Sequence, residues 1–167
     1  MKKFLQVFLV FAFLFLLAAC NNKDDAADVK LGHAFVGGDH AVKVAAVAVK
    51  GDKIVDVFLD ELYFFNEDQN PEGLADAIDG KVLGSKRANS EIYTELMKRA
   101  GSKQQISKSY DAIEAYCVGK TIKELEDAIA DAEANDAEDN WDFISGSTLT
   151  SNIDYLKAIV KAAKAAK

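Results

Sequence analysis

Two apolar, β-rich runs meet at Gly51-Asp52 in "AVKVAAVAVKGDKIVDVFLDEL", residues 41–62, and this stretch constrains the fold more than any other. A Gly-Asp pair between runs of this composition is a hairpin signal. In the second run Ile54, Asp56, Phe58 and Asp60 alternate with Val55, Val57 and Leu59, which predicts one dry face and one mixed face. The first run shifts parity between Val44 and Val47, suggesting a bulge or burial on both faces. Gly37-Gly38-Asp39 marks an earlier turn and makes "LGHAFVG", residues 31–37, a third strand. Residues 66–88, with the single proline Pro71, read as an irregular loop.

Beyond residue 88 the pattern becomes helical. "NSEIYTELMKRAG" offers Asn89 or Ser90 as N-cap, Ile92, Leu96 and Met97 on one face, and Gly101 as the stop. "SYDAIEAYCVG" repeats that scheme to Gly119. "TIKELEDAIADAEAN" opens with a capping box, Thr121 to Glu124, and carries Ile122, Leu125 and Ile129 as its stripe. The last helix begins near Ser151, with Asp154 placed for a second box, and buries Leu156, Ile159, Val160 and Ala163. Its lysines, 157, 161, 164 and 167, suit the negative C-terminal end. The expectation is an α+β fold, a small antiparallel β-sheet packed with α-helices.

The N-terminus reads as an export signal. Lys2 and Lys3 precede an apolar run, Phe4 to Leu17, that is too short for a spanning helix of about 20 residues. The ending Leu17-Ala18-Ala19-Cys20 resembles a bacterial lipobox, which implies a signal peptide over residues 1–19 and a lipidated Cys20 as first mature residue. Residues 20–30 are then the lipidated cysteine and a polar, flexible tether, and 31–167 the folded domain. Acyl chains on Cys20 would hold the protein in membrane lipid, facing outside the cytoplasm.

The whole chain carries 20 basic and 27 acidic residues, a net charge of −7; losing Lys2 and Lys3 with the leader makes this −9. That balance argues against nucleic acid or anionic headgroups as partners. With Cys20 acylated, Cys117 is the one thiol left, and its spacing with Ile113 and Tyr116 marks a buried structural residue. His33 and His40 fit no metal motif, so no metal site is expected.

"NWDFISGSTLT", residues 140–150, concentrates Ser145, Ser147, Thr148 and Thr150 around Gly146 just before the last helix. A helix N-terminus presents free N–H groups and partial positive charge, a seat for phosphate. Asp142 is placed to shape the turn, Gly146 to take a positive φ, and Ser147 to leave its neighbour accessible. On this ground alone two readings stand: a loop that caps the helix, or an anion site beside an exposed Thr148 hydroxyl.

"DFISGSTLTSN" resembles the flavinylation motif D-x-x-S-G-[AS]-T-x-T of FMN-binding domains, matched by Asp142, Ser145, Gly146, Thr148 and Thr150. Ser147 replaces the commoner alanine and adds a second hydroxyl acceptor; Ile153 stands where a glycine is frequent. "VAAVAVKGDKIVDVFLDEL", "SKRANSEIYTELMKRAGS" and "YDAIEAYCVGKT" are similar to extracellular electron-transfer flavoprotein lipoproteins of that family. The resemblance implies FMN joined by its phosphate to Thr148, put there by an FMN transferase. It implies an electron carrier without a catalytic residue of its own, working between a membrane redox donor and an extracellular acceptor. Candidate ring contacts are Trp141, then Tyr63, Phe64, Phe65 and Tyr110. The alternative is a surface ligand-binding or adhesive lipoprotein whose motif is unmodified; a flavoenzyme with its own substrate pocket is a third reading.

Overall fold

The computed structural model describes residues 28–38, 41–99, 101, 104–134, 144, 146, 147, 149 and 151–167. The strands are β1 (Val29–Gly37), β2 (Ala41–Lys50), β3 (Lys53–Asn66) and β4 (Lys81–Ser85). The helices are α1 (Ser90–Lys98), α2 (Ile106–Cys117), α3 (Ile122–Ala134) and α4 (Asn152–Lys164). The strands form one antiparallel sheet in the order β1-β2-β3-β4, with helices packed on it: an α+β fold. Strand β1 starts at Val29, two residues before the expected boundary.

The sequence parity holds in β2 and breaks in β3. Ala45, Val47 and Val49 are all buried, facing Leu59, Val57 and Ile54 across the ladder. The register shifts between Ala48 and Val49, whose partners are Asp56 and Ile54, leaving Val55 as an extra residue. Val55 was expected on the dry face; the bulge turns it outward and puts Ile54 in the core. Between Val44 and Val47 there is no bulge, and the bulge lies in the second run. Of the two expected alternatives, apolar residues on both faces holds: Val44 is half-buried on one and Val47 buried on the other.

Residues 66–88 are more ordered than a loop. A 3-10 turn, Glu67–Gln69, leads toward β4, which pairs Lys81 to Ser85 with Asn66 to Leu62. Asn89, expected as a cap, makes no capping bond. Its side chain instead pairs with the Glu72 backbone, accepting from N–H at 2.7 Å and donating to C=O at 2.9 Å.

Helix α4 lies across β1 and β2, α2 across β3, α3 on α4, and α1 on α2. Close seating of α4 needs Gly32: a Cβ there would stand 2.0 Å from the Ala162 carbonyl oxygen. The α3 capping box forms as predicted, Thr121 N–H to Glu124 at 2.7 Å and Glu124 N–H to Thr121 at 3.1 Å. Ser151 does not cap α4 with its side chain, and Asp154 pairs with Lys43 at 3.5 Å instead of closing a second box. The expected α4 face, Leu156, Ile159, Val160 and Ala163, is buried. Lys157 and Lys164 reach Glu133 and Glu126 on α3. Among the described residues no helix is long and apolar enough to cross a membrane.

Beyond the reach of β4, the outer edge of β3 is closed by other groups. Leu59 N–H donates to Glu114 at 2.7 Å and its carbonyl accepts from Arg87 Nε at 3.1 Å. Ile54 bonds Gly119 and Lys120 through backbone, at 2.8 and 2.9 Å. The edge thus presents few unpaired groups to another chain.

Candidate functional site

The turn before α4 is built on Ile144, which is buried in the core and accepts from Ser147 N–H at 2.9 Å. This closure places Gly146 at the third turn position with φ +88°, the conformation expected of it. Gln104 ties the turn to α2: its Nε2 donates to the Gly146 carbonyl at 2.7 Å and to Ser109 Oγ at 2.6 Å. Trp141, Asp142, Ser145, Thr148 and Thr150 lie outside the described residues, as do His40, Cys20 and the leader.

Ser147 is where the structure departs from the expected reading. It was expected to leave its neighbour accessible by its small size and to offer a second hydroxyl acceptor; the structure bears on the second of these. Its side chain is 1 % exposed and donates to Asn152 Oδ1 at 2.7 Å. A hydroxyl buried and engaged in this way is closed to an incoming phosphoryl group. Asn152, at the first helical position of α4, was not foreseen. It is 3 % exposed, and its buried Nδ2 has no hydrogen-bond partner among the described residues. Leaving such a donor unpaired costs about 1–3 kcal/mol.

The aromatic candidates divide. Phe65 and Tyr110 are fully buried and serve the core. Phe64 is exposed on the other side of the sheet from Tyr63 and Phe65. Tyr63 is half-buried, edge-on to Phe65 and Tyr93 with ring centroids 5.1 and 5.6 Å apart.

Sequence reading missed a buried polar cluster on the helix-covered face of the sheet. Glu61 and Lys86 form an ion pair at 3.0 Å, their side chains 8 % and 7 % exposed. Lys86 Nζ donates to Tyr93 Oη at 3.0 Å and lies 5.2 Å from the Tyr63 ring centre. Tyr155, from α4, donates to Glu61, and its hydroxyl lies 3.4 Å from that of Tyr110 on α2. Burial, followed by the Glu61 charge, pushes the Tyr155 phenol well above its ordinary value; burial, then Tyr155, does so for Tyr110. Both stay protonated. The available signal was Asp60-Glu61 inside an apolar strand; Lys86-Arg87 follow β4, which the sequence did not announce.

Cys117 is fully buried, and burial pushes its thiol up to about 12, so it is inert at neutral pH as expected. Among the described residues no group of three His, Cys, Asp or Glu side chains is placed to hold a metal ion. No family model, curated protein or solved structure matches this chain.

Proposed function

We propose that the chain is a membrane-anchored electron carrier outside the cytoplasm, holding FMN covalently through its phosphate on Thr148. The motif in residues 142–150 motivates the reading, and one observation at its edge carries it: the orphaned, buried Nδ2 of Asn152 beside the Gly146 turn. A phosphodiester is an anion rich in acceptor oxygens. It suits a helix start that lacks a side-chain cap and has an unpaired amide donor close by. Of the described residues, Asn152 and the start of α4 thus offer a donor and a positive helix end suited to the phosphate of FMN, which supports the reading. When bound, FMN supplies the redox chemistry.

The chain's own residues then have distinct tasks. Gly146 gives the turn its positive φ, Gln104 holds that turn to α2, and the Ser147–Asn152 bond fixes it to the first turn of α4. Ser147 is engaged inward, and Thr148 is the residue that matches the acceptor position of the motif. Attachment by a covalent bond suits an exported carrier, which could lose a free cofactor by dilution.

The test is co-expression of the full-length chain with an FMN transferase, denaturation, and detection of bound flavin by mass and fluorescence. Thr148→Ala is expected to lose flavin and keep its circular dichroism. Thr150→Ala is expected to retain at least part. Flavin on folded Thr148→Ala would remove the acceptor assignment, and a bare wild-type chain beside an active transferase would remove the function.

A further inference from the structure

The sheet has a second face. Helices cover the side that carries Ala45 and Leu59; the other side carries Leu31, Phe35, Phe58 and Phe64, which are 71, 60, 48 and 54 % exposed. The register sets them on one surface: Leu31 opposes Ala48, Phe35 opposes Val44, and Ala46 lies between His33 and Phe58. A continuous apolar surface of this kind marks a place of contact.

We propose that this face rests on the lipid bilayer, held there by the anchor; the inference depends on the reading of Cys20 as the lipidated residue. The chain outside the structure supports it. Eight residues separate Cys20 from Val29, so whatever their conformation the two cannot be more than about 30 Å apart. They join the domain at β1, the strand that supplies Val29, Leu31 and Phe35 to the uncovered face. An acyl chain at Cys20 therefore keeps these side chains within reach of the interface.

Charge favours lipid over a second copy of the chain. Lys50 and Lys53 pair across the hairpin end beside Val29, where their stems can lie along apolar surface with the ammonium groups on headgroup phosphates. Asp60 accepts from Ser85 Oγ and the Arg87 N–H, so its charge is engaged at the β3–β4 corner and Asp56 is the carboxylate left among the apolar residues. The mature net charge of −9 thus lies mainly off this face, which carries Lys50, Lys53 and Lys81 against Asp56 and Asp60. Contact through this face leaves the helices and the turn before α4 on the solvent side.

The test uses the full-length chain, expressed with its leader and purified from membranes in detergent. It is then reconstituted into phosphatidylcholine–phosphatidylglycerol vesicles containing nitroxide-labelled lipid. Leu31→Trp reports on the proposed face and Ala130→Trp on the exposed side of α3, both in a Trp141→Phe background; intact mass of the same sample reads acylation of Cys20. The expected result is a blue-shifted emission for Leu31→Trp and quenching several-fold stronger than for Ala130→Trp. Equal quenching on an acylated chain overturns the docking and spares the anchor. A chain without acyl groups removes both. A blue shift that follows protein concentration in detergent, with a doubled mass, assigns the face to a second copy and overturns the proposal.

Discussion

Ser147 Oγ donates to Asn152 Oδ1 across 2.7 Å, with both side chains buried, and so joins the turn to the helix it precedes. Ser147→Ala restores the residue usual in the motif but strips Asn152 of its partner for Oδ1. The change is expected to cost about 1–3 kcal/mol of unfolding free energy in urea, the penalty of a buried polar group left unsatisfied. Under the proposed function it keeps covalent flavin. Flavin lost from a folded Ser147→Ala variant would move the acceptor one residue.

The Glu61–Lys86 pair sets a second expectation. Removing either charge leaves the other buried beside tyrosines, so Glu61→Gln and Lys86→Met should each destabilise by about 3–5 kcal/mol. The double variant leaves no bare charge and should recover much of that loss. Urea unfolding of the four proteins closes the cycle. Losses that simply add would mean the two charges are not coupled.

Two glutamates should respond to pH with opposite sign. Burial raises the Glu114 carboxyl above its ordinary 4.5, against the Leu59 N–H and the Arg87 charge. The folded state then binds more protons than the unfolded one, so this contribution is full below 4.5 and is lost as pH rises through the folded value. Glu124 is held low by the Thr121 N–H and hydroxyl; its contribution is present above 4.5 and is lost as pH falls. Against Glu114→Gln, wild type should lose relative stability as pH is raised from 4.5. Against Glu124→Gln, it should lose relative stability as pH is lowered. Urea midpoints over that range check both slopes, and parallel curves would contradict the assignment.

What could be read from the chain was what local chemistry decides. The Gly51-Asp52 hairpin, the Thr121–Glu124 box, the α4 stripe and the positive φ of Gly146 each depend on residues close in sequence. Strand β4 was missed because "KVLGS" has too few apolar residues to announce itself; its strand character comes from pairing with Leu62 to Asn66. The bulge at Val55 was invisible because valine suits either face, and the choice is made by the pairing of Ile54 with Val49. Polar residues in sequence argue for exposure, so Glu61 and Lys86 were not placed inside together. Only the β3–β4 connection brings them within 3.0 Å. The inward turn of Ser147 was not legible for a like reason: its partner, Asn152, is fixed by where α4 starts.

Gly146 carries the last prediction, because two independent features forbid a side chain there. Its φ of +88° is costly for any L-residue with a Cβ, by about 1–2 kcal/mol. An added Cβ would also stand 3.3 Å from Ala112 Cβ, closer than ordinary contact. Gly146→Ala should therefore lower the urea midpoint and loosen both the Ile144–Ser147 turn bond and the Gln104 bond to residue 146. Adding Ala112→Gly removes the steric contact but leaves the backbone strain, so it should restore only part of the lost stability. Under the proposed function, flavin incorporation should fall in the single variant even where circular dichroism reports a folded domain, because the turn that presents Thr148 is altered. A Gly146→Ala protein with wild-type stability and full flavin would show that neither the positive φ nor the approach to Ala112 is required.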